Sequence, residues 1–367
     1  MSSTVPSSAP ASSRIPSLDG LRGIAILLVL IGHGGYVFPD GLAPCLPYAG
    51  NGPLGVSIFF VLSGFLIYRL SVRELEQTGS FDWRQFYLRR VLRIFPCFYF
   101  YLLVVLLLLG LGQLTLTGPA LLSAATFSLN YRHLWDHATQ LHDYFVIGHY
   151  WTLALEEQFY LTWPLLMLLF IRRRLLTVLV LIMLLAPVLR IVCYYVTPGS
   201  RAQLNMMFHT AFDAIAAGVL LGELLRRPAA RNWLEKVAHQ RLCLIGSLLF
   251  LFLLSPWLTI QFHGRYLLTI GRTLELAAIC LLITAAISFP GTWLYRLLNS
   301  RPLVWLGVLS YSLYVWNNLF LNEDNHWPIH QFPYNFLCAF AAALISHYLV
   351  EKPFLRLKDR LRERPLR

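Results

Sequence analysis

Apolar runs constrain this 367-residue chain more than any motif in it. Segments near 21–38, 53–70, 94–111, 150–171, 175–196, 207–225, 242–260, 266–289, 303–322 and 332–351 are each long and apolar enough to cross a bilayer, which takes about 20 residues of helix. The chain is 57% hydrophobic and 13% charged, whereas a soluble domain carries about 25% charged residues. This excludes an ordinary soluble enzyme, a disordered chain and a secreted disulfide scaffold. In lipid every backbone donor and acceptor must be satisfied within its own segment. The expected fold class is therefore all-α, a polytopic membrane bundle of about ten transmembrane helices. Residues 17–357 form that domain, between a polar, Pro-rich disordered tail (1–16) and a short basic tail (358–367). The first residues lack a basic n-region, so no cleaved signal peptide is expected.

The formal net charge of +12 would suggest nucleic acid in a soluble protein. The placement of the charge argues otherwise. If the N-terminus is cytoplasmic and ten spans alternate, 25 of the 30 basic residues fall at inner ends, and only Arg132, Arg190, Arg201, Arg265 and Arg272 do not. That asymmetry predicts two cytoplasmic termini, an inner-membrane location and membrane lipids, not nucleic acid, as the partner of the charge. The six cysteines are scattered without a CxxC and read as packing residues. The apolar stretch 119–129 is too short to span and is expected to be re-entrant or interfacial. The pattern is silent on oligomeric state.

An ionisable group at a span centre costs about 2.5–3.5 kcal/mol on insertion scales, so each calls for a reason. The first span carries Arg22 and His33. Eleven residues make about 1100° of helix, roughly 20° from the same face, and about 16 Å of rise. A snorkelling arginine with a hydrogen-bonded core histidine is one reading; a cation and an imidazole serving one site is the other. Arg90 and Arg93 are spaced i,i+3 at the inner end of the third span. They suit either a lipid-headgroup anchor or a phosphate clamp. Glu156 and Glu157 open the fourth span; about 100° apart on a helix, they cannot both face one site. Glu156 is one turn from Tyr160 and is expected to line a polar cavity. Asp213 and Glu275 are similarly embedded in later spans. The loop near 112–149 gathers Arg132, His133, Asp136, His137, His142, Asp143 and His149. His133, Asp136 and His137 imitate a metal cluster without the usual second-helix partners, so no metal is expected.

Together these segments resemble the membrane-bound acyltransferase 3 family, enzymes that O-acylate sugars and related molecules. The resemblance rests on SLDGLRGIAILLVLIGH (17–33), GVSIFFVLSGFLI (55–67), FYLRRVLRIFP (86–96), WTLALEEQFYLTWP (151–164), FDAIAAGVLLGEL, WLGVLSYSLYVW (305–316) and VEKPFLRL (350–357), in that order. It implies His33 as catalytic base or acyl carrier, with Glu156 as a second catalytic residue. It implies Arg22, Arg90 and Arg93 as the binding site for cytoplasmic acyl-CoA, acetyl-CoA being the simplest choice. Glu157, Asp213, Trp151 and Tyr160 are candidate substrate-binding residues for a glycan or small hydroxylated acceptor arriving from the outer side. Relatives often carry histidine where this chain has Asn317, and no proton-transfer role is assigned there. The C-terminal hydrolase-like domain of some relatives is not expected. A transporter of an acylated or anionic metabolite, using the same basic path, is the alternative.

Overall fold

A computed structural model of the protein describes residues 15–35, 45–134, 145–171, 174–322 and 327–362. Among them the regular structure is entirely helical. The main helices are α1 (Pro16–His33), α2 (Gly52–Thr78), α3 (Trp83–Gly110), α4 (Tyr150–Phe170), α5 (Leu175–Val196), α6 (Asp213–Arg226), α7 (Pro228–His239), α8 (Arg241–Gln261), α9 (Leu267–Ser288), α10 (Arg301–Phe320) and α11 (Tyr334–Leu361).

Seven of these, α1, α2, α3, α5, α8, α9 and α11, are long and apolar enough to cross a membrane. The other three expected spans are helical too, as α4, α6 and α10, but are shorter or less apolar. Much of their polar content, such as Asp213 and Glu223 in α6 and Ser310, Ser312 and Asn317 in α10, is buried inside the protein. The stretch expected to be interfacial contains an eight-residue helix, Gly118–Ala125.

Local chemistry sets several helix ends. Pro16 opens α1, where its missing N–H is no loss, and Asp19 sits in the positive first turn. Asn51 caps α2 by accepting from the Leu54 N–H at 3.0 Å, and Gly79 at φ +75° ends it. Asp82 caps α3 through the Arg84 and Gln85 N–H groups. The amphipathic start and the apolar run that follow it are therefore one helix of 28 residues.

α1 lies at the centre, packed against α10 and α2; α2 packs in turn on α6, and α10 on α11. The α1–α10 crossing is close enough that backbone meets backbone. A Cβ built on Gly307 of α10 would fall 1.8 Å from the carbonyl oxygen of Asp19 in α1. Glycine is what permits this approach. Gly307→Ala is expected to force the helices apart and to destabilise the fold by about 1–3 kcal/mol or more, the usual range for overpacking. Thermal unfolding in detergent reads this directly, and an unchanged midpoint would show that the crossing gives way freely. On the far side of α10, Ser312 donates to Glu351 of α11 at 2.7 Å, and Glu351 also meets His347 at 2.9 Å. A π-helical stretch, His347–Glu351, carries both residues.

Candidate active site

A cavity of about 130 Å³ opens between α1, α2, α3, α4 and α10. Arg22, Arg90, Arg93, Glu156 and Tyr160 all line it, so residues drawn from three separate helices converge. The net balance is three guanidiniums against one carboxylate.

The arginines differ in how far they are already engaged. Arg22 pairs with Asp19 one turn earlier at 3.6 Å. Arg90 lies over the ring of Tyr160 at 4.8 Å and that of Phe86 at 5.6 Å, contacts that do not use its N–H groups. Arg93 makes no hydrogen bond or ion pair among the described residues. Arg89, next to Arg90, points elsewhere and is spent on Glu74 at 2.7 Å. The i,i+3 spacing thus separates two available guanidiniums from a neutralised one.

The same selection operates on α4. Glu156 faces the cavity, where the Tyr160 hydroxyl donates to it at 3.3 Å. Tyr160 has only one hydrogen to give, so Ser63, 2.7 Å from its oxygen, donates to Tyr160. Glu157 does not line the cavity, and its Oε1 is buried without a hydrogen-bond partner. Trp151 stands behind the wall, edge-on to the cavity residue Phe60 at 5.9 Å. The remaining walls include Val56, Phe59, Leu66, Ile94 and Leu153, an apolar lining suited to a thin aliphatic chain.

His33 lies outside this cavity, at the last turn of α1. Its Nδ1 hydrogen-bonds Oδ1 of the fully buried Asn317 at 2.5 Å. Asn317 in turn donates from Nδ2 to the carbonyl of Tyr314 at 2.5 Å. The Tyr314 side chain lines the cavity, and its hydroxyl meets Thr152 Oγ1 at 2.7 Å and donates to the His149 carbonyl at 3.1 Å. Two hydrogen bonds therefore connect the imidazole to a residue of the cavity wall. Sequence reasoning assigned no role to Ser63, Thr152, Tyr314 or Asn317, which the structure places at or beside the cavity wall. The available signal was polarity on an otherwise apolar helix, since Asn317 and Asn318 stand consecutively in α10.

Asp213 stands apart from the cavity. It is fully buried, paired with Arg190 at 2.7 Å and with Arg272 at 3.4 Å. Glu275, nearby, accepts from Ser255 at 2.5 Å. Among the described residues no group of three metal-ligating side chains occurs. Asp136, His137, His142, Asp143 and the side chain of His133 lie outside the described residues, as do residues 1–14 of the N-terminal tail and 363–367 of the C-terminal one.

Comparison with known proteins gives this arrangement a context. The model of the acyltransferase 3 family, described as an acyltransferase domain, matches residues 15–351. The chain belongs to the acyltransferase 3 family. O-acetyltransferase OatA of Staphylococcus aureus (strain NCTC 8325 / PS 47) is 28% identical over 357 residues, covering 92% of this chain and 57% of the relative. A Staphylococcus aureus (strain COL) protein with a provisional O-acetyltransferase name is 28% identical over 363 residues, with 93% and 57% coverage. This acyltransferase 3 chain thus spans a little over half the length of these curated relatives. No solved structure matches it.

Proposed function

We propose that this chain is a membrane O-acyltransferase, most simply an O-acetyltransferase, that takes its acyl group from cytoplasmic acyl-CoA. The acceptor is a hydroxyl of a sugar or glycan on the opposite side of a cytoplasmic (inner) membrane. In this reading the chain crosses the membrane ten times, α4, α6 and α10 included, and both termini face the cytoplasm. The observation that carries it is the cavity with an excess of guanidinium charge and two arginines, Arg90 and Arg93, that form no ion pair with a carboxylate among the described residues. Coenzyme A is a polyanion on a long, thin pantetheine arm. Its phosphates suit those arginines, planar forks built for phosphate oxygens, and its arm suits the apolar walls. The names of the Staphylococcus relatives agree with the acyl chemistry.

The acceptor oxygen bonds to the thioester carbonyl carbon, the C–S bond breaks, and the hydroxyl proton ends on the departing thiol. A neutral imidazole is suited to take that proton as the oxygen attacks. His33 can equally accept the acyl group first and pass it on. Glu156 orients groups at the cavity through Tyr160.

The test follows free-thiol release from acetyl-CoA in membrane vesicles supplied with pooled bacterial glycans. Acceptor-dependent release is the expected result. Substrate movement without consumption of acetyl-CoA would favour a transporter instead. Removing Arg93, in Arg93→Ala, should raise KM for acetyl-CoA by about 10–100-fold while kcat changes little, since a hydrogen bond to a charged group contributes about 1.5–3 kcal/mol. An unchanged KM would remove Arg93 from donor binding.

A further inference from the structure

We infer that Asn317 is a positioning residue that fixes the tautomer of His33, keeping the proton on Nδ1 and leaving the lone pair on Nε2. The inference rests on the reading above that His33 performs the acyl transfer. It assigns a task to a position where the sequence suggested none.

The argument is one of donors and acceptors. The Tyr314 backbone carbonyl can only accept, and it lies 2.5 Å from the Asn317 carboxamide. The group facing it must therefore be the NH₂ of Asn317, which leaves Oδ1 turned to the imidazole. Oδ1 also only accepts, and it is 2.5 Å from Nδ1 of His33. That short contact is favourable only when Nδ1 carries hydrogen. A neutral imidazole has one N–H, so Nε2 is bare. Flipping the amide would set its oxygen against the Tyr314 carbonyl, two acceptors facing each other at a fully buried position, which is repulsive. A second acceptor faces the imidazole: Oδ1 of Asn318, which has no other hydrogen-bond partner among the described residues. Asn318 donates from Nδ2 to the Phe145 carbonyl at 2.7 Å, and the Phe145 ring stands edge-on to the imidazole at 6.0 Å.

Both chemical routes need this tautomer. As a base, Nε2 takes the hydroxyl proton while the C–O bond forms and the C–S bond breaks, and then returns that proton to the thiolate. As a carrier, Nε2 attacks the thioester carbon and the thiolate leaves; the hydroxyl then displaces the imidazole, and its proton reaches the sulfur. With the proton on Nε2, the lone pair would sit on Nδ1 against an amide oxygen, where no substrate can reach it.

Solid-state NMR of the membrane-embedded protein, labelled at histidine with ¹⁵N and ¹³C, reads the tautomer without reference to activity. The His33 signals are identified by their loss in His33→Gln. The wild type should show protonated Nδ1 and unprotonated Nε2, and Asn317→Leu should lose that preference. In acetyl-CoA turnover, Asn317→Leu should lower kcat by about 100-fold with an unchanged KM for acetyl-CoA, the upper range for a partner that orients a functional histidine. Asn317→Asp keeps an acceptor against Nδ1 while giving up the bond to Tyr314, and should hold kcat within about tenfold of wild type. A wild-type His33 protonated on Nε2, an unimpaired Asn317→Leu, or an Asn317→Asp as slow as the leucine variant would each overturn the inference. Full turnover in His33→Gln would overturn the functional reading instead and leave the tautomer result standing.

Discussion

Replacing His33 by alanine should lower acetyl-CoA-dependent acylation by at least about 10²–10⁴-fold, the contribution ordinarily made by a positioned acid–base group. Donor binding should survive the change. Arg22 and His33 are carried by the same helix, and eleven residues of rise put them about 16 Å apart, so the arginine end of the cavity is distant from the substitution. The variant should therefore insert, bind acetyl-CoA as wild type does, and release thiol at least about 10²-fold more slowly when acceptor is added. Titration calorimetry gives the first quantity and thiol release the second. Persistent release would take His33 out of the chemistry and leave its bond to Asn317 a packing feature.

The second large effect is expected at Asp213. Its carboxylate is fully buried between Arg190 and Arg272, and Arg190 is itself wholly enclosed. Backbone carbonyls complete the cage: Arg190 donates to Thr210 at 2.9 Å and to Leu268 at 3.2 Å, and Arg272 to Ala211 at 3.3 Å. Asp213→Ala strips two guanidiniums in a low-dielectric interior of the carboxylate they share, with only the more distant Glu275 nearby, and breaking a comparable buried pair costs about 3–5 kcal/mol. The expected outcome is a sharply reduced unfolding midpoint and poor recovery from membranes. Adding Arg190→Met should restore part of the loss, because one stranded charge goes with it. A rise in acceptor KM at an unchanged unfolding midpoint would instead give Asp213 a direct part in substrate binding.

Helical periodicity made part of the site legible. The 100° step between consecutive residues foretold that Glu156 and Glu157 would part company, and only Glu156 lines the cavity. The i,i+3 spacing foretold a shared face for Arg90 and Arg93, and both line it. Such features are local, and a single helix suffices to express them. The contact between His33 and Asn317 joins residues 284 positions apart, and it exists because α1 and α10 cross closely at Gly307. Glycine announces that some backbone will come near but says nothing about which one. The same holds for Arg190, Asp213 and Arg272. Each was visible as a charge within an apolar run, yet their pairing depends on how α5, α6 and α9 meet. The three helices that fell short of a spanning length or hydropathy have a related cause. A helix whose polar residues turn inward needs less apolar surface than one bathed in lipid.

α1 runs unbroken from Arg22 to His33, without an internal proline. A continuous helix resists stretching and bending over so short a stretch, so it acts as a rod that fixes the separation of Arg22 and His33. In the proposed reaction this rod measures the donor. A molecule anchored by its phosphates at one end can react at the other only if about 16 Å separates its anionic head from its acyl carbon. Small activated acyl compounds would have either the anchor or the reach, but not both. Selectivity for a long carrier would then follow from the length of a helix rather than from contacts with the acyl group.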